Sequence, residues 1–520
     1  MMKKRASLIA LMLSVTCATT IACSKQADPA PVKESPGTVP VTQEAKGPTE
    51  FTVMNIAWGT PPVDDNPQEL AAEEKTNTKI KFNWVPAQDY LNRQNVALAT
   101  GDISDVTQLQ SSGLGLFGQE QLTAVEHGLF HDLTPYIKSP DFAKNYPNLA
   151  KFPDSLWEKV TYQGKIYGIP RDTAPEFFDG LWLREDLFKE AGLSVPTTIE
   201  ELGEVIIKLS KPPERYGLML SSPRLGTAEI AFTGVQGWGI NENGDFIYGV
   251  FMPEYKDYLK WMNHLYVNKG IDPEFAINSQ NSDFQAGKSA VMFHNWHAYV
   301  EAEIPHQDFT PEAKEKGAKA MQINPVKGPK GYTVSAARGF NRLTVISSKV
   351  SEEKIPGILK YIDFSGSEEY GDLIKFGVEG VHHEVKDGKK VVNEDKYKSD
   401  VVVSMNWFNH MYRDAQYWVN DFKLRGANQA SVDQGFEIGK FEEKVFNESG
   451  ILKDPTFSLY SSTANSKWAQ LTKDMEDNMT KVIMGSMSID QWDQYVAGLV
   501  SSDVYKTIQQ EYKDANAAKQ

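Results

Sequence analysis

Between residues 51 and 109 the chain alternates strand and helix signals at short spacing, and nothing else in the sequence constrains its fold as strongly. Phe51 to Ala57 is a continuous apolar run that reads as a buried strand. Asn66-Pro67-Gln68-Glu69 then opens a helix, with Asn as cap, Pro at the first helical position and Glu two places further on. Lys79 to Val85 alternates, Ile80, Phe82 and Trp84 on one face against Lys79, Lys81 and Asn83 on the other. A second helix is predicted from about Asp89 to Thr100, stopping at Gly101, and a further strand near Asp105 to Leu109. Strands separated by helices build a largely parallel sheet covered on both faces. Sites in such sheets lie at the carboxyl ends of the strands, which directs attention to the loops after Ala57, Leu109 and Ile169.

Later segments are richer in helix. Tyr255, Tyr258, Leu259, Met262, Leu265 and Tyr266 keep a helical repeat, as do Trp468, Leu471, Met475, Met479 and Val482. Gly192 ends a helix carrying Leu187 and Phe188. Thr197 and Thr198 with Glu200 and Glu201 offer a capping box to the next, and Ser488 with Gln491 begins another. At 520 residues the chain is too long for one oversized sheet, and it shows no internal repeat, so two α/β lobes are expected.

The N-terminus has a different character. Lys3, Lys4 and Arg5 precede an apolar run from Ala6 to about Val15, then small and polar residues up to Cys23, which is the anatomy of a secretory leader over residues 1–22. Thr20-Ile21-Ala22-Cys23 resembles a bacterial lipobox, with Cys23 as the lipidated residue; an ordinary signal cleaved after a small residue would share the same head. Residues 23–48, with Pro29, Pro31, Pro36, Pro40 and Pro48, read as an extended tether. Cys17 and Cys23 are the only cysteines, so the body of the chain has no disulfide, thiol nucleophile or cysteine-ligated metal. Lys and Arg total 54 against 69 Asp and Glu, a net charge of −15 that argues against a nucleic-acid partner.

Several motifs have two readings. Gly113-Leu114-Gly115-Leu116-Phe117-Gly118 matches the dinucleotide fingerprint, with Asp132 near the distance of the ribose-binding acid. It lies in the third strand–helix unit rather than the first and is read as a glycine-rich ligand loop. His294 and His297 are three apart but want a third ligand, and are read as an ordinary histidine pair with no metal. Asn241 to Asp245 looks faintly like a calcium loop without its twelfth-position glutamate, and is read as a hairpin with Asn243-Gly244 at its tip. No G-x-S-x-G occurs; carboxylate pairs suited to glycoside hydrolysis are compatible with so many Asp and Glu. Trp58, Trp182, Trp238, Trp296 and Trp407 sit in or beside predicted loops, where indoles could stack on the apolar faces of sugar rings or simply fill a core.

Taken in order, a series of segments resembles the extracellular solute-binding proteins of bacterial ABC transporters, family 1, in the branch of long Paenibacillus and Bacillus lipoproteins. Leu98-Ala99-Thr100-Gly101-Asp102-Ile103-Ser104-Asp105-Val106 is similar to that family's L-A-S-G-D-x-P-D-V signature, departing at Thr100 and Ser104. Leu129 to Ile137, Gly164 to Pro170, Leu181 to Leu187 and Phe284 to Met292 follow with further matches. The resemblance implies a type II, periplasmic-binding-protein-like α/β fold of two lobes joined by hinge segments, with ligand in the cleft between them. It implies a first lobe over 49–170 and 345–400 and a second over 175–335 and 401–512, with crossings near Pro170-Arg171-Asp172 and Ala337-Arg338-Gly339.

The expectation is therefore a lipid-anchored receptor on the extracellular face of the cytoplasmic membrane. It would capture a carbohydrate, an oligosaccharide by resemblance, for an ABC permease, with no cofactor and no catalysis. Trp58, Trp182, Trp238, Trp296 and Trp407 are the candidate stacking residues. Arg171, Asp172, Asp179, Asn295 and Arg338 are the candidates for hydroxyl or carboxylate contacts, each also explicable as a surface or interlobe ion pair. A surface-anchored polysaccharide lyase or glycoside hydrolase is the alternative, and a receptor that reports to a membrane sensor would look the same in sequence.

Overall fold

Asn66 Oδ1 accepts hydrogen bonds from Gln68 N and Glu69 N at 3.1 and 3.0 Å, so the helix Pro67–Thr76 starts at its capping residue. The helix Tyr90–Thr100 ends at Gly101, whose φ of 68° is a left-handed conformation that glycine adopts without a Cβ penalty. Thr198 and Glu201 form the capping box of the helix Ile199–Leu209, and Ser488 and Gln491 that of Ile489–Ser501. Gly244, at φ 79°, turns the hairpin expected at Asn243-Gly244.

The computed structural model describes residues 47–57, 61–110, 118–177, 179–275, 280–295, 309–386, 389–393, 395–396, 408–424 and 428–518. The leader, Cys23 and the tether up to residue 46 lie outside the described residues. Among the described residues the strands are, in chain order, β1 (Thr49–Ala57), β2 (Thr78–Pro86), β3 (Val106–Gln110), β4 (Thr161–Tyr162), β5 (Lys165–Ile166), β6 (Ile169–Thr173), β7 (Asp179–Arg184), β8 (Tyr216–Leu218), β9 (Trp238–Ile240), β10 (Phe246–Tyr248), β11 (Ser289–Asn295), β12 (Ala320–Ile323), β13 (Phe340–Ile346), β14 (His383–Lys386) and β15 (Lys389–Val392).

Two larger sheets organise two lobes. The first has the order β2-β1-β3-β13-β6, the second β12-β7-β11-β8. β1 runs parallel to β2 and β3, and β8 parallel to β11. The antiparallel member of each sheet, β13 in the first and β7 in the second, is the strand that arrives from the opposite lobe. Both sheets therefore turn the carboxyl ends of their parallel strands toward the segments that join them, where a cleft site is expected.

Each sheet has its own core. Phe51, Val53, Val106, Leu109, Ile169, Leu343 and Val345 belong to the first, closed by Trp157, Tyr361 and Phe408. Leu181, Leu183, Leu218 and Val291 belong to the second, which extends through Trp238 to Trp468, Tyr505 and Tyr512 of the C-terminal helices. Phe408 packs in the first core and His410 hydrogen-bonds Thr344 and Ser365, so the third passage between lobes falls after Met411 rather than at residue 400. Pro170, Arg171 and Asp172 stay within β6, and the first passage starts at Ala174. Among the described residues no helix is long and apolar enough to cross a membrane.

Candidate functional site

Among the described residues three stretches of chain pass between the lobes, and they are bonded to one another. Ala174 N donates to Gly339 O at 3.1 Å and Ala337 N to Glu176 O at 2.6 Å, pairing the first two. Gly339 turns there at φ 88°, a conformation that disfavours any residue with a Cβ. Thr173 Oγ1 donates to Met411 O at 3.1 Å and accepts from Arg413 N at 2.8 Å, fastening the third passage to the end of β6.

A carboxylate sits on this belt. Glu176 is ion-paired with Lys159, at the end of the first-lobe helix Asp154–Lys159, and with Lys453 of the second lobe at 2.9 Å. Lys159 Nζ also donates to Arg338 O at 3.2 Å. Burial would raise the Glu176 carboxyl, but hydrogen bonds from Lys159 and Lys453 hold it below the usual carboxylate range. Beside it the Arg338 guanidinium lies 5.0 Å from the Phe457 ring and 5.7 Å from the Phe340 ring, one ring from each lobe. Arg338 is thus a hinge residue in cation–π contact with both.

On the second-lobe wall, at the carboxyl ends of β8 and β11 and the start of β7, lies a cavity of about 420 Å³. Leu181, Ile230, Val235 and Phe293 give it apolar walls, and Ser221, Arg224, Thr227, Glu229 and Gln236 its polar groups. The helix Gly226–Thr233 begins at its edge, with Glu229 in the first turn. Arg224 Nε and Nη2 donate to the two oxygens of Glu229 at 3.0 and 2.6 Å, and Nη1 donates to Tyr248 OH at 2.8 Å. Burial disfavours the Arg224 charge, but Glu229 more than offsets it and keeps the guanidinium protonated. Gln236 is turned to Ala336 of the second passage, its Nε2 donating to the carbonyl at 2.6 Å and its Oε1 accepting from the amide at 2.8 Å.

The candidates read from the sequence are scattered by this geometry. Trp238 is 0% exposed, ringed by Trp468, Tyr505, Tyr248 and Tyr512 with centroids 5.1 to 5.5 Å away, and so belongs to the core, not to a ligand. The C-terminal helices need an apolar surface to lie on, and β9 supplies it. Trp182 is 5% exposed on β7, packed with Phe284, Met292 and Phe309 in a satellite core rather than on an open wall. Arg171 is 1% exposed; its Nη1 donates to Gln108 Oε1 at 2.8 Å in a buried polar layer of the first lobe, which also holds Thr344 and His410. Asp172, Asp179 and Asn295 are described through their backbones in β6, β7 and β11, their side chains lying outside the description. Trp58, Trp296, Trp407, His297 and most of the glycine-rich stretch, 113–117, lie outside the described residues. Among the described residues no cluster of three His, Cys, Asp or Glu is placed to hold a metal ion.

Sequence reasoning missed Arg224, Glu229, Gln236, Glu176 and Lys453. The first pair is five residues apart across a helix start, and the others meet only through the fold.

Two α/β lobes, three bonded passages and a pocket at the strand ends make the architecture of a two-lobed solute-binding protein. Residues 60–371 match the family described as bacterial extracellular solute-binding protein, and the chain belongs to that family. It is 26% identical over 473 residues to the polygalacturonan/rhamnogalacturonan-binding protein YtcQ of Bacillus subtilis, spanning 88% of each chain. It is also 26% identical over 460 residues to lipoprotein LipO of the same organism, covering 84% of this chain and 86% of LipO. The substrate-binding protein FusA of Streptococcus pneumoniae, solved with kestose, superposes with a TM-score of 0.59 at 16% identity, over 91% of this chain and 100% of that one. That likeness shows the shared fold.

Proposed function

We propose that this protein captures an oligosaccharide in the cleft between its lobes and presents it, chemically unchanged, to the permease of an ABC importer. It would do so from the outer face of the cytoplasmic membrane, held there by lipid on Cys23. The observation that carries the reading is the second-lobe cavity, where apolar walls and paired polar groups meet beside the hinge belt. Sugar rings want that mixture, C–H faces against hydrocarbon and hydroxyls against planar polar groups. The relatives support the reading: YtcQ is named for polygalacturonan and rhamnogalacturonan, LipO as a lipoprotein, and FusA was solved with kestose. Trp58 and Trp296 follow β1 and β11 by one residue in sequence and are proposed as stacking residues; Asp172, Asp179, Asn295 and Trp407 are proposed as further contacts, and Arg338 as a hinge-side contact.

The test is a thermal-shift panel of oligosaccharides on the purified protein, with each hit recovered and analysed. A ligand at about 100 times its Kd stabilises the native state by about 2.7 kcal/mol. A raised midpoint with intact sugar supports capture. Shortened or unsaturated product would replace this reading with the lyase or hydrolase, and no shift with any saccharide would remove sugar as the solute.

A further inference from the structure

We infer that the second-lobe cavity is a subsite for an uncharged sugar unit, and that Glu229 is the residue that makes it so; this rests on the reading of the cleft as a saccharide site. Among the described residues lining the cavity, Arg224 is the only cation and Glu229 the only anion. A guanidinium grips a carboxylate bidentately through two parallel N–H donors, a geometry well suited to a uronate. Here the Nε–Nη2 edge is already filled: both Glu229 oxygens lie within hydrogen-bond distance of it, and Nη1 is drawn to Tyr248. The positive end of the helix Gly226–Thr233 also meets a negative charge already in place, since Glu229 lies in its first turn.

A uronate could take that edge only by expelling Glu229, whose side chain is 7% exposed and would then be a buried charge without its partner. A hydroxyl faces no such exchange. It can accept from an N–H that Arg224 has left over, the guanidinium carrying five. It can also donate to a second lone pair of Glu229, with the Ser221 and Thr227 hydroxyls along the same wall. A volume of about 420 Å³ falls within the roughly 300–1,000 Å³ of small-ligand sites. The chain's net charge of −15 adds a long-range bias against polyanions.

The experiment is calorimetric titration of the purified protein with neutral trisaccharides (kestose, galactotriose, arabinotriose, xylotriose) and with trigalacturonate and trimannuronate, at low and at physiological salt. At least one neutral trisaccharide is expected to bind tenfold or more tighter than either uronate. Glu229→Gln, which leaves Arg224 with an uncompensated charge, is expected to shift the ratio toward uronate by at least tenfold. Because that variant removes half of a buried pair and so tests folding as well as binding, Ser221→Trp supplies an independent arm. Ser221 is exposed at the cavity, and a bulky ring there is expected to weaken the neutral ligand tenfold with an unchanged melting midpoint. Preference of the unaltered protein for a uronate, or full neutral binding by Ser221→Trp, overturns the subsite while leaving the saccharide cleft standing. Binding of no saccharide overturns both.

Discussion

The side-chain amide of Gln236 and the backbone of Ala336 exchange two hydrogen bonds, at 2.6 and 2.8 Å, as two residues do across a β-ladder. Gln236 is itself tied down, its N donating to Leu452 O at 3.0 Å. A second-lobe side chain thus serves as the strand partner of a connecting segment that has no sheet neighbour at that point among the described residues. Gln236→Ala is expected to lower stability by about 1–3 kcal/mol, since the amide and carbonyl of the buried Ala336 lose their partners. Hydrogen exchange should show the Ala336 amide losing protection well before the core strands; equal protection in both proteins would refute the role.

Glu176 joins the lobes through Lys159 and Lys453, and its removal leaves two ammonium groups facing each other. Glu176→Gln should cost about 1 kcal/mol or more, and clearly more than Glu312→Gln, whose pair with Lys316 is largely exposed. Chemical denaturation of the two variants side by side checks the contrast.

Glu69 carries a pH dependence of its own. Burial, with Glu73 as the next cause, pushes its carboxyl up to about 7 from an ordinary 4.5. A folded value above the unfolded one means the native state holds the extra proton between those limits, and the stability it brings is lost as pH rises through 7. Glu69→Gln keeps the volume and the hydrogen-bonding shape, so it should raise the melting midpoint by about 1–3 °C at pH 8 and by little at pH 5.

His410 works in the opposite direction. Burial, reinforced by Arg171, holds its imidazole well below the ordinary value, so it is neutral between Thr344 Oγ1 and Ser365 Oγ at 2.7 and 2.8 Å. The unfolded chain takes up a proton at about pH 6.5 that the native site refuses, and stability falls as pH drops below that value. His410→Gln should flatten the melting curve's dependence on pH between 7 and 5.

Trp238→Ala should destabilise by about 3–5 kcal/mol through the cavity it leaves among Trp468, Tyr505 and Tyr512, while the molecules that remain folded bind ligand as before. Loss of affinity without loss of stability would return Trp238 to the binding site.

The helix starts at Asn66, Thr198 and Ser488, the stop at Gly101 and the alternation of β2 were legible because a cap or a period-two pattern is local chemistry. The cleft wall was not. Arg224 and Glu229 look like any two charges near a helix start, and only their shared burial beside Tyr248 marks them. Trp238 was misplaced because a three-residue strand reads as loop, and three of the four aromatic rings that enclose it, Trp468, Tyr505 and Tyr512, come from the far end of the chain. The third passage was placed early because Phe408 and His410 join the first lobe by contacts that no spacing announces.

The register that pairs Leu109 with Leu343 also orders events in time. A chain emerging from its N-terminus has β1, β2 and β3 early, but the strand that completes the middle of that sheet comes only after the whole β7–β12 portion of the second lobe has appeared. Until then β3 presents a bare hydrogen-bonding edge, the kind of surface that invites pairing with the wrong neighbour. The first lobe, begun earliest, thus waits for most of the second to be made before its sheet is closed, and the interval before residue 346 arrives is a window in which a chaperone would have much to protect.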